Sequence, residues 1–351
     1  MKRYTILIFL SLLSMLCSCE QAFIKNNPEP DNVAVFDHLW ETVDQKYSFF
    51  IDKNIDWDAA KSRYRNEARS AKNSLELFDA LAAMLFLLED GHVNLSAGID
   101  LSRNWQWYLD YPANFNWDIV ERNYLIPSEA YQISGSLHNT IIDDVGYIYY
   151  ESFSNNVSTN LMDYVIQKFE TGDFVCADTC AVKGIIIDVR NNGGGSISNA
   201  FTITNRFADE KIKVADWYYK TGPGHDAFDE VETKYIEFEG NEDYVFNKPI
   251  VVLTNRSSFS SSNFFASMMS FLPNVTIMGD NTGGGGGLPI NSELLNGWRV
   301  RFSATRTIDA QGRNIEFGVA PDIKIDLDTA DILRGKDTII ESAIDFIHAQ
   351  Q

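Results

Sequence analysis

Apolar positions recur at helical spacing through the N-terminal quarter of the chain. Val35, Phe36, Leu39, Trp40, Val43 and Tyr47 form one stripe, and Leu75, Leu77, Phe78, Leu81, Met84, Leu85 and Leu88 form a second. Steps of three and four residues are those of a helix that buries one face. Between the stripes, IDWDAAKSRYRNEARSA reads as a further amphipathic helix with Asp56 or Asp58 near its start. Residues 34–89 are therefore expected to be helical, with Phe36, Trp40, Tyr47, Phe49 and Phe50 as core. The following segment, 97–142, is rich in aromatics but has no clear period, so short strands and loops are expected. Its Trp105, Trp107, Tyr108, Tyr111 and Trp117 either line a groove or fill a core.

From residue 145 the pattern changes. Val145–Phe153 reads as a strand and Asn160–Phe169 as a helix. GIIIDV, residues 184–189, is continuously apolar, as in a strand buried on both faces. Gly193, Gly194 and Gly195 follow, and then a helix over Ile197–Phe207. Residues 211–247 suggest a hairpin excursion. Pro249–Leu253 is a second buried strand, followed by five serines among Ser257–Ser262, a helical apolar run from Phe264 to Leu272, and a strand at Val275–Met278. Trp298–Thr307 alternates and predicts one strand; Asp309–Asp322 is turn-rich; Ile332–Ala349 predicts a closing helix. Strands alternating with helices define an α/β body preceded by a small helical domain.

Composition narrows the setting. The chain has 351 residues and a net charge of −20, which argues against nucleic acid as a partner, since phosphate binding needs clustered Lys and Arg. Lys2 and Arg3 precede a short apolar core, Ile6–Leu16, and then Leu16-Cys17-Ser18-Cys19. This is read as a lipoprotein signal peptide, residues 1–18, with lipid on Cys19 and an anchor in the cell envelope. The residue after Cys19 is Glu20, not an inner-membrane retention Asp, which leans towards the outer membrane. A polar tether at 19–33 would then lead to a helical domain at 34–96, an aromatic-rich connection at 97–143 and the α/β domain at 144–351. Cys176 and Cys180 are expected to form a local disulfide in an exported chain. Their spacing, with no His or further Cys nearby, does not point to zinc. No metal and no cofactor is implied, and the oligomeric state is left open.

The candidate chemistry lies in two strand-to-helix turns and one isolated histidine. A serine at the carboxyl end of a buried strand and the start of a helix is either an N-cap or a nucleophile. The glycine cluster 193–195 exposes backbone N–H groups, which serve either a phosphate or an oxyanion. A phosphate loop lacks its lysine here. His92, after the turn signal Asp90-Gly91, is either a surface turn residue or a base.

Four segments together resemble peptidase family S41, the C-terminal-processing and tricorn-like serine proteases. They are DGH at 90–92, GIIIDVRNNGGGS at 184–196, VVLTNRSSFSSSNFFA at 251–266, and the stretch from MGDNTGGG through GRNIEFGVAPDI, 278–323. The resemblance implies a crotonase-like or ClpP-like βαβ spiral core and a peptide or protein substrate. The processing branch places a catalytic Lys after the nucleophile, where this chain has Thr282-Gly283-Gly284-Gly285-Gly286. The tricorn-like branch uses Ser, His and Glu, which maps onto Ser260, His92 and Glu316. The resemblance implies Ser260 as nucleophile, His92 as base and Glu316 as the acid that orients it. The N–H groups of Ser261 and of Gly194 or Gly195 would form the oxyanion hole. Two positions depart from the pattern: Asn263 replaces a frequent Glu, and Gly91 replaces a hydroxyl residue before the His. Too few residues separate His92 from Val145 for the family's usual PDZ domain. The alternative expectation is a weak or inactive relative that binds peptides or apolar ligands in the same cleft.

Overall fold

The computed structural model describes residues 30–104, 109–171, 181–239 and 246–350. The signal segment, Cys19, Cys176, Cys180, Trp105, Trp107 and Tyr108 lie outside them.

Three helices open the described chain: α1 (Asn32–Lys46), α2 (Trp57–Ser70) and α3 (Ser74–Phe86). Each begins at a side-chain cap, Asp31, Asp56 and Asn73 respectively, whose oxygen accepts from a backbone N–H of the first turn. After β1 (Asn94–Ser96), the aromatic-rich connection contains a helical turn at Trp117–Ile119 that continues as a π-helix, Val120–Leu125. The sequence offered no period there, because a π turn does not repeat every 3.6 residues.

The α/β body is built on a seven-stranded sheet in the order β13-β9-β8-β5-β4-β3-β2. Its strands are β2 (Gln132–Ser134), β3 (Leu137–Ile142), β4 (Val145–Tyr149), β5 (Gly184–Asp188), β8 (Ile250–Thr254), β9 (Val275–Gly279) and β13 (Ile323–Lys324). From β4 to β13 the pairing is parallel; β2, β3 and β4 pair antiparallel. The continuous apolar run in β5 has a direct cause. Ile185 and Ile187 enter one core, with Phe265 and Met268, while Ile186 enters the other, with Ile340, Ile344 and Ile347. The first face carries α4 (Thr159–Thr171), α5 (Ile197–Asn205) and α6 (Ser261–Met269). The second packs against the terminal helix.

That terminal segment is two helices, α7 (Thr329–Leu333) and α8 (Thr338–Ala349), where the sequence predicts one. Gly335, at φ 77°, breaks the path, and Asp337 caps the second helix through Ile339 and Ile340 N–H. The predicted strand at 298–307 is also two strands. β11 (Arg299–Ser303) pairs with β1 and β10 (Pro289–Glu293), while β12 (Thr305–Asp309) joins the hairpin β6 (Ile212–Lys220) and β7 (Phe228–Ile236). At the junction Ala304 N–H leaves both ladders and donates to Leu288 O at 3.0 Å. One alternating run thus stitches two sheets together. Val300 and Phe302 of β11 are buried in the same core as Val35, Phe36, Leu39 and Leu85, so the helical segment is completed by residues from the far end of the chain.

Candidate active site

Ser260 stands at the N-cap position of α6 with φ 58° and ψ −119°, and its side chain makes no capping bond. Its Oγ lies 2.9 Å from His92 Nε2 instead. The left-handed backbone of a non-glycine residue costs on the order of 1–3 kcal/mol and persists only where neighbours enforce it. Here Ser260 N–H donates to Gly284 O at 2.8 Å, Phe259 N–H to Asn192 O at 3.1 Å, and Gly283 N–H to Ser258 O at 2.8 Å. The two glycine segments thus clamp the serine turn from both sides.

His92 is held from its own turn. Glu89 ends the helical region at φ 43°, and Asp90 Oδ1 accepts the backbone N–H of His92 at 2.7 Å. The imidazole leans on the Phe259 ring, with centroids 4.8 Å apart. Its Nδ1 faces Ser303 Oγ at 3.4 Å and Asp90 Oδ1 at 4.0 Å. Burial lowers the pKa of His92 to about 4, against the opposing pull of Asp90 and with a further push from Arg301 and Lys53. The ring is therefore neutral at pH 7.

Glu316 is buried in a 3-10 turn, Ile315–Phe317, but no hydrogen bond or ion pair joins it to His92. Its Oε1 is 2.8 Å from Lys53 Nζ and its Oε2 accepts from Gly286 N–H at 2.8 Å. Glu316 is the acid expected to orient the imidazole, but the carboxylate within 4.0 Å of Nδ1 is Asp90. The glycine run packs directly against the Glu316 turn. At Gly284 (φ 77°) a Cβ would stand 2.0 Å from Glu316 O, so the run accepts the Glu316 turn and leaves no room for a side chain there. Burial, reinforced by Asp90, pushes the Glu316 pKa up, while Lys53 pulls it down. Burial pulls the Lys53 ammonium down, but Glu316 and Asp90 more than offset it and its pKa is raised.

Lys53 also donates to Leu88 O and Glu89 O, at 3.2 and 2.9 Å. Nothing in its local sequence marked it: a lone Lys in a loop carries no periodic signal, and only the fold brings it to Glu316. Ser303 was hidden in the same way.

Of the expected oxyanion donors, the N–H of Ser261 is the first of α6 and has no acceptor within the helix. Of the two glycines expected as alternatives, Gly194 already donates its N–H to Asn192 Oδ1 at 2.9 Å. Gly195 N–H has no acceptor among the described residues, and Gly195 O accepts Ser261 Oγ at 2.7 Å, which ties the two candidate donors together.

The rest of the DVRNNGGG motif is scaffold. Arg190 is fully buried, with its guanidinium 2.6 Å from Asp188 and 3.0 Å from Asp337. Asn263, at the departed Glu position, donates to Ile315 O at 2.9 Å and accepts from Thr282 Oγ1 at 2.6 Å. It therefore ties α6 to the Glu316 turn.

Residues 144–325 match peptidase family S41, and residues 28–86 match the tricorn protease C1 domain. The chain belongs to peptidase family S41. A candidate peptidase from Parabacteroides merdae of known crystal structure is 42% identical, with a TM-score of 0.82 over 91% of this chain and 97% of that one. The carboxy-terminal processing protease CtpA of Bacillus subtilis is 27% identical over 186 residues, 53% of this chain. The match spans only 36% of that relative's length. The tricorn protease shares the fold at 14% identity, with a TM-score of 0.52 over 91% of this chain and 37% of that one.

Proposed function

We propose that this protein is a serine endopeptidase. Ser260 Oγ attacks the scissile carbonyl carbon while His92 Nε2 takes its proton. The same nitrogen then returns the proton to the leaving amine as the C–N bond breaks. Water repeats the sequence on the acyl-enzyme. The N–H groups of Ser261 and Gly195 receive the oxyanion; one such donor is typically worth about 3 kcal/mol of barrier. For Nε2 to act as base, the ring proton must sit on Nδ1, where Ser303 and Asp90 lie. Asp90 stabilises the imidazolium that forms. Glu316 is a positioning residue in this scheme, acting through Lys53 and the Asp90 turn.

The observation that carries the reading is the 2.9 Å contact between Ser260 Oγ and His92 Nε2 on a strained serine that caps nothing. Membership of the family supports it. A fluorophosphonate probe tests it: covalent labelling of the natural protein, absent in Ser260→Ala and in His92→Ala, is expected. Absence of labelling from pH 5 to 9 would favour the inactive peptide-binding relative.

From the sequence alone, we further propose a lipid anchor on Cys19 and a place in the cell envelope, on the outer membrane. Metabolic labelling with a palmitate analogue should mark the natural chain and not Cys19→Ala; equal labelling would exclude this anchor.

A further inference from the structure

Ser260 and His92 open onto a cleft of about 760 Å³. The protein carries a net charge of −20, yet no Asp or Glu is among the described residues lining this cleft. Three arginines are: Arg103, Arg256 and Arg301. They come from three separate parts of the chain, so their convergence is a product of the fold.

Arg301 is the informative member. It lies on β11 two residues before Ser303, and alternate residues of a strand share a face. The face that gives His92 its Ser303 neighbour therefore also directs Arg301 at the reacting groups, while Val300 and Phe302 fill the core behind. Arg301 is half-buried, and its guanidinium has no hydrogen-bond or ion-pair partner among the described residues. The other buried or half-buried arginines differ: Arg190 holds Asp188 and Asp337, Arg65 holds Asp37, and Arg256 holds Asp280 at 3.2 Å. Asp90 acts on Arg301 only from beyond ion-pair distance, so a guanidinium held partly out of water gains from a ligand that brings a carboxylate into direct contact.

Arg301 and Ser260 also border a second, smaller pocket of about 180 Å³. Phe264, Leu288, Pro289 and Ile315 make that pocket apolar. A peptide lying across Ser260 would place one side chain in the apolar pocket and pass its neighbouring residues along the arginines.

Resting on the peptidase reading, we propose that this cleft selects peptides carrying a carboxylate close to the scissile bond, and that Arg301, flanked by Arg103 and Arg256, receives it. The carboxylate has two sources, an Asp or Glu side chain or the free C-terminus of the peptide.

The test uses Ser260→Ala protein and peptide binding by fluorescence anisotropy, so it does not depend on turnover. Matched peptides differ by Glu against Gln within two residues of a central Ala-Leu pair, or by a free against an amidated C-terminus. One charge-assisted hydrogen bond corresponds to about tenfold or more in affinity. The charged member of at least one pair should bind about tenfold tighter, and the pair that responds identifies the source. The preference should shrink with added salt, because the cleft is open to solvent. Adding Arg301→Gln should abolish it. Arg103→Gln, at an exposed position, should reduce it and keeps the test intact should Arg301→Gln fail to fold. Equal affinities within both pairs would overturn the carboxylate proposal. Loss of the peptidase reading would appear separately, as absence of fluorophosphonate labelling in the natural protein.

Discussion

Lys53 Nζ sits 2.8 Å from Glu316 Oε1, and both side chains are buried. One comes from the loop after α1 and the other from a turn near the end of the chain. The ion pair therefore fastens the helical segment to the catalytic body directly beneath the His92 turn.

Removing one partner should be worse than removing both. Lys53→Met leaves a buried carboxylate beside Asp90 with no cation, and is expected to cost about 3–5 kcal/mol. Lys53→Met with Glu316→Gln should recover most of that loss. Urea unfolding of the two variants checks it; a double variant no more stable than the single one would show that Lys53 matters for some other contact.

The low pKa of His92 sets an acid limb. With a folded value of about 4, Nε2 remains free to accept a proton down to about pH 5. Fluorophosphonate labelling should fall only as the pH approaches 4; a limb centred near 6.5 would mean the ring is not buried as described. Stability follows the same sign. Between pH 6.5 and 4 the unfolded chain binds a proton at this residue that the folded one does not, so stability is lost as pH falls through that window. The loss is at most about 3 kcal/mol. His92→Gln should be less sensitive to pH over that range in urea titrations.

Ser260 gives a stability signature of its own. Glycine adopts φ 58° without penalty, whereas alanine does not. Ser260→Gly should be unreactive yet more stable than Ser260→Ala by about 1 kcal/mol. Identical unfolding midpoints for the two would argue against strain at the turn.

Gly91 explains the missing hydroxyl before His92. A Cβ there would stand 2.8 Å from Phe259 Cζ, and a Cβ on Gly285 would lie 2.5 Å from the same ring atom. The ring is trapped between two glycines and in turn supports the imidazole. Gly91→Ser should overpack the site by about 1–3 kcal/mol and slow labelling. Pairing it with Phe259→Leu should restore stability in thermal unfolding; failure of that rescue would place the clash elsewhere.

What the sequence determined is what short-range pattern encodes. The apolar helical stripes of residues 34–89, the doubly buried β5 and the strand–serine–helix unit all follow from side-chain period and local turn chemistry. The serine stretch 257–262 and His92 stood out because distinctive residue types sat beside such turns, and the resemblance to family S41 singled out Ser260 among the five serines. Tertiary structure decided the remainder. Whether Ser260 caps α6 or faces a base depends on a residue 168 positions away. That Glu316 meets Lys53 is a pairing between the two ends of the described chain. The split of residues 299–309 between two sheets, and the convergence of Arg103, Arg256 and Arg301 on one cleft, come from strand pairing and loop packing. Hydrogen bonds and ion pairs between distant segments leave no periodic trace along a chain, so their partners become visible only once the backbone has brought them within reach.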